Sequence, residues 1–121
     1  MLLNNFFKIK DIQQTDKHTV TIELNASHSI YEGHFPNNPI TPGVCMTQMV
    51  KESLEVITEK KLMLVSGSNI KFMAVWNPLV HPLAMLTISL KEKDDHLLYA
   101  DSSIFSGETI FFTFKGSFKE N

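Results

Sequence analysis

Residues 33–59 read GHFPNNPITPGVCMTQMVKESLEVITE, and the change of character at Pro42 decides how the rest of the chain must be arranged. From there onward Met46, Met49, Val50, Ser53, Leu54 and Ile57 recur at helical spacing, while Thr47, Lys51, Glu55, Thr58 and Glu59 take the other side. The spacing predicts a helix over Pro42–Glu59, with Thr41 as the cap, Pro42 in the first helical position and a Gly43 amide that has no partner within the helix. Ahead of the helix, Pro36, Pro39 and Pro42 fix three backbone angles within seven residues, and Gly33 and Gly43 permit close approach at either end. A stiffened loop with one histidine, His34, therefore leads straight into a helix N-terminus.

The flanking segments carry the other period. Thr19–Leu24 alternates strictly, with Val20, Ile22 and Leu24 on one face, and Phe6–Gln13 pairs with it through a turn near Asp16 and Lys17. After the helix, Ile70, Phe72, Ala74 and Trp76 share one face of a long third strand, and Leu86, Ile88 and Leu90 share one face of the next. Strands over Leu97–Phe105 and Thr109–Lys119 follow. In the last, Ile110, Phe112, Phe114 and Phe118 oppose Thr113, Lys115, Ser117 and Lys119. Lys93-Asp94-Asp95 and Ser106-Gly107 supply turns, and Pro78 and Pro82 interrupt pairing between the third strand and its successor. Two strands, one long helix and four strands make an α+β pattern. The sheet has to cover the apolar stripe, since no second helix is available.

A chain of 121 residues, 43% hydrophobic and 20% charged, fits a single domain, and its modest size makes a dimer unsurprising. The formal net charge of −2, with acids and bases interspersed, excludes a nucleic-acid or anionic-membrane footprint. The N-terminal MLLNNFFKIK lacks the pattern of a secretory signal, and no stretch reaches membrane-spanning length, so a cytoplasmic location is expected. The single cysteine, Cys45, excludes an internal disulfide and reads as a small buried hydrophobe in preference to a nucleophile. The five histidines show no metal-ligand spacing, and no metal is predicted. His81 reads as a surface or edge histidine.

The chemistry concentrates at the loop. Free amides and the helix dipole favour negative charge, so a histidine beside them suits proton abstraction next to a carbonyl whose oxygen becomes anionic. The alternative is a hydrogen-bonded spacer with no catalytic part.

Gly33-His34-Phe35-Pro36, then Pro39, then Pro42-Gly43-Val44 opening a long helix, resembles the signature of the 3-hydroxyacyl-acyl-carrier-protein dehydratases of the hot-dog fold. Asn69-Ile70-Lys71-Phe72, the Pro78–Pro82 bend and the three closing strands extend the resemblance over nearly the whole chain. It implies one hot-dog domain over residues 1–121, a long central helix wrapped by an antiparallel sheet, and a homodimer or an oligomer of dimers with sites at the subunit interface. It implies that His34 removes the α-proton, that the Gly43 amide polarises the thioester carbonyl, and that Phe35, Pro36 and Val44 contact the substrate. Loss of water then gives a trans-2-enoyl thioester, in fatty-acid synthesis or a related polyene or pigment pathway. The substrate would ride on the phosphopantetheine arm of an acyl carrier protein, and the enzyme would need no cofactor of its own.

One position departs from the resemblance. Fourteen residues after His34, where the family carries a carboxylate that protonates the leaving hydroxyl, stands Gln48, and an amide delivers no proton at useful pH. One turn later stands Glu52, about 40° around the helix axis from Gln48. Three roles are open at this point. Glu52 replaces the missing acid, or it belongs to the solvated face with Lys51 and Glu55, or His34 shuttles the proton while Gln48 holds the departing hydroxyl. The competing functions are a non-catalytic hot-dog subunit that binds acyl chains or pairs with an active partner, and, ranked last, a thioesterase in which Glu52 activates water.

Overall fold

A computed structural model describes residues 1–33, 37–93 and 95–121. These residues form β1 (Phe7–Gln14), β2 (His18–Leu24), a 3-10 turn (Ser29–Tyr31), α1 (Gly43–Thr58), β3 (Leu62–Phe72), β4 (Leu83–Glu92), β5 (Leu98–Ser106) and β6 (Thr109–Glu120). The strands make one antiparallel sheet in the order β1-β2-β4-β5-β6-β3. The connection from β2 to β3 thus runs from the second position to the far edge, carrying α1 across the apolar face. Among the described residues no helix is long and apolar enough to cross a membrane.

Period-two alternation delivers Val20, Ile22 and Leu24 from β2, Ala84, Leu86 and Ile88 from β4, Ala100 and Ile104 from β5, and Phe112, Phe114 and Phe118 from β6 to one core. Met46, Met49, Val50 and Leu54 enter the same core from α1. Burying each such large side chain contributes about 1.5–3 kcal/mol. The helix has no side-chain cap at its start and ends with Glu59 in the left-handed region, at φ 57°. Packing of its stripe, not its termini, therefore holds it.

Four local expectations are corrected. Thr41 does not cap α1, because its hydroxyl lies 3.0 Å from the buried Tyr31 phenol, whose burial demands a partner. Pro42 occupies the capping position in extended conformation, one place earlier than expected. The third strand stops at Phe72. Ile70 and Phe72 are exposed on an edge strand, whereas Trp76 lies beyond the strand and is fully buried, its ring stacked 5.0 Å from that of Phe111. Its Nε1–H donates to the His81 carbonyl at 2.8 Å. In β6, Ile104 faces Phe112 while Phe105 faces Ile110, so Phe111 is an extra residue at a bulge. The bulge flips the alternation, burying Phe111 and leaving Ile110 45% exposed.

Candidate active site at the start of the helix

His34, Phe35 and Pro36 lie outside the described residues, but the base of their loop is well defined. The 3-10 turn is capped by His28, whose Nδ1 accepts from the Ile30 amide at 3.0 Å. It presents Tyr31, stacked on Phe6 at 5.5 Å, to the Thr41 hydroxyl ten residues later. Burial is the chief cause that pushes the Tyr31 hydroxyl up to about 12. The phenol therefore stays a neutral hydrogen-bonding group. The Thr41 amide donates to the Trp76 carbonyl at 2.8 Å, and Asn77 Nδ2 donates to Asn38 Oδ1 at 3.1 Å. Both ends of the loop are thereby tied to each other and to the segment after β3.

The helix opens beyond this clasp. Cys45 and Met46 donate to the Pro42 carbonyl, so the amides of Gly43 and Val44 precede the first intrahelical bonds. Gly43 lies against Phe72, and a Cβ there would stand 2.4 Å from Phe72 Cε1. Gly43, Met46, Phe72, Met73, Val75 and Trp76 border a mostly apolar hollow of about 410 Å³. That combination, a helix-start N–H bordering an apolar recess, suits an acyl group whose carbonyl oxygen gains charge. Val44 is 76% exposed, and Cys45 beneath it is buried, its thiol pushed up by that burial.

The contact with Phe72 makes a prediction. Gly43→Ala gains about 0.5–1 kcal/mol of backbone entropy, but overpacking costs about 1–3 kcal/mol. A net loss of ~1 kcal/mol is expected from urea unfolding. With Phe72→Ala in the background the same change should become neutral or stabilising. A persistent penalty there would mean that the ring is not what excludes the Cβ.

Gln48 follows one turn further along and borders a second hollow, of about 270 Å³, with Met1, Leu2, Val44 and Cys45. Glu52 is only 1% exposed, so it does not belong to the solvated face with Lys51 and Glu55. The Leu2 amide donates to both its carboxylate oxygens at 3.0 Å, and the Leu3 amide donates to Oε1 at 2.8 Å. Gln48 Nε2 donates to Oε2 at 2.9 Å. Sequence reasoning missed Leu2, Leu3 and Tyr31 as parts of this region, and gave Thr41 a capping role in place of its bond to Tyr31. For the two leucines no side-chain signal exists, since they act through backbone N–H groups. A tyrosine two residues before Gly33 was the only hint of the clasp.

A six-stranded antiparallel sheet around one helix makes a hot-dog fold. The chain belongs to the ApeI-like family, whose model, described as ApeI dehydratase, matches residues 10–108. Among solved structures it is similar to one described as the dehydratase heterocomplex ApeI:P from Xenorhabdus doucetiae, with 17% identity and a TM-score of 0.66 over 93% of this chain and 96% of that one. It is also similar to an uncharacterised protein from Erwinia carotovora subsp. atroseptica, with 22% identity and a TM-score of 0.56 over 92% and 90% of the two chains. At these identities the structural likeness establishes the fold. Among curated protein sequences none matches.

Proposed function

We propose that this chain eliminates water from 3-hydroxyacyl thioesters carried on acyl carrier protein, giving the trans-2-enoyl thioester in the cytoplasm. The observation that carries the reading is the Gly43 amide, which precedes the first intrahelical bonds and borders an apolar hollow at the end of the clasped loop that bears His34. His34 takes the α-proton, made acidic by the thioester. The Gly43 N–H receives the charge that develops on the carbonyl oxygen. Phe35, Pro36 and Val44 contact the acyl chain or its phosphopantetheine arm, and Gln48, with Glu52 behind it, supplies the polar group that meets the departing hydroxyl. No cofactor takes part.

Two copies are proposed to pair along β3. This strand closes the sheet order, and Met63, Leu64, Val65, Ile70 and Phe72 on it are exposed. An edge of that length and apolarity invites another strand. A second reading, in which the chain serves as a partner subunit to an active relative, is favoured by Gln48 standing where the family resemblance implies a carboxylate. That a structural relative is described as a heterocomplex supports it too.

Incubation of the purified protein with 3-hydroxyacyl-carrier protein, following enoyl absorbance and free thiol together, tests the proposal. Enoyl product without thiol release is expected. Thiol release alone would replace the dehydratase with a thioesterase. Silence in both channels that is relieved by Gln48→Glu would favour the partner-subunit reading.

A further inference from the structure

We propose that Glu52 is a positioning residue: it locks the Gln48 side-chain amide with its carbonyl turned away from Glu52, toward the smaller hollow beside Val44 and Cys45, and fastens the N-terminal segment beside it. The proposal rests on the dehydratase reading for its chemistry, though not for its geometry.

Glu52 is buried in the helix yet touches three N–H donors, the amides of Leu2 and Leu3 and Nε2 of Gln48. In every one of these bonds the carboxyl group accepts. A buried carboxylate left without such donors would be strongly unfavourable, so this set of partners accounts for its burial. The same bonds settle an orientation. The two ends of a glutamine amide are alike in shape, but a partner that accepts must face the NH₂ end. Oε1 of Gln48 is therefore turned away from Glu52, on a half-buried side chain that borders the hollow with Val44, Cys45 and Leu2.

A carbonyl in that place serves a dehydration with one acid–base group. The substrate's 3-hydroxyl donates its hydrogen to Gln48 Oε1, which leaves the hydroxyl lone pairs free to face an imidazole. His34 removes the α-proton, and the electron pair of that C–H bond forms the new C=C bond. The C–O bond breaks as the imidazolium returns its proton to the hydroxyl oxygen. One hydroxyacyl thioester thus yields one enoyl thioester and one water, and His34 ends neutral as it began. Glu52 touches no reacting atom. It acts through Gln48, and the Leu2 and Leu3 amides act through Glu52.

The test uses the ¹⁵N-labelled full chain and 3-hydroxyacyl-carrier protein. In the wild type, slow hydrogen exchange at the Leu2 and Leu3 amides and a shifted, inequivalent pair of Gln48 NH₂ signals are expected, and Glu52→Gln should remove both features. Glu52→Gln should lower kcat about 10- to 100-fold with little change in KM, and Gln48→Ala/Glu52→Gln should be no slower than Gln48→Ala. Unprotected Leu2 and Leu3 amides would overturn the proposal, and that measurement needs no variant to fold. A further loss of 100-fold or more from Glu52→Gln in the Gln48→Ala background would overturn it in favour of a direct acid. An unchanged kcat with a lowered Tm would reduce Glu52 to a structural residue and overturn it as well. Protected amides and shifted Gln48 signals in a protein that forms no enoyl product would instead defeat the dehydratase reading while upholding the lock.

Discussion

His34→Ala is expected to lower enoyl formation from 3-hydroxyacyl-carrier protein by about 10²–10⁴-fold, the range that a well-placed general base supplies. The loss should fall on kcat, because the groups proposed to hold the thioester, the Gly43 amide and the apolar hollow around Met46 and Phe72, remain in place. Stability should barely change. The base of the loop is held by the Tyr31–Thr41 bond, the Thr41–Trp76 bond and the Asn38–Asn77 bond, and His34 contributes to none of them. Stopped-flow or steady-state absorbance of the enoyl product, with thermal unfolding on the same preparation, separates the two quantities. A variant that keeps more than about a tenth of the wild-type rate would remove the histidine from the proton transfer.

Trp76→Ala should bring the largest loss of stability, about 3–5 kcal/mol. The indole is fully buried, stacks nearly parallel to Phe111 at 9°, and donates to the His81 carbonyl. Alanine removes the packing and leaves both a cavity and an unpaired carbonyl. Against a total of about 5–15 kcal/mol for an ordinary domain, this brings the fold close to its limit. Trp76→Phe separates the contributions: it keeps most of the stacking and forgoes the N–H bond, and should cost about 1 kcal/mol. Urea unfolding of the three proteins checks the order. Equal midpoints for Trp76→Ala and wild type would show that the indole is not part of the core. Because the Trp76 carbonyl also receives the Thr41 amide, partial unfolding there loosens the end of the His34 loop, linking core packing to the site.

Much of this architecture was legible before any coordinates. The stripe from Met46 to Leu54 and the alternation of Val20, Ile22 and Leu24 are local signals, and each side chain lies on the face its period assigns. The turn at Ser106-Gly107 was equally legible, with Gly107 at φ 58°, a conformation that glycine adopts at no steric cost. Legibility failed where a second element changed the parity or the direction of the chain. The bulge at Phe111 turned Ile110 outward, and the departure of the chain from the sheet after Phe72 separated Trp76 from the strand whose rhythm it shared. Thr41 has a side chain suited to capping, but a buried phenol competed for it successfully.

By itself the sequence determined the helix, the alternation of β2 and β4 and the fourteen-residue interval from His34 to Gln48, because these follow from backbone geometry over a few turns or a few residues. Only the tertiary structure decided where Glu52 goes. Its partners are main-chain amides about fifty positions away, and every non-proline residue carries the same N–H, so nothing in the pattern of side chains distinguishes the two that meet it.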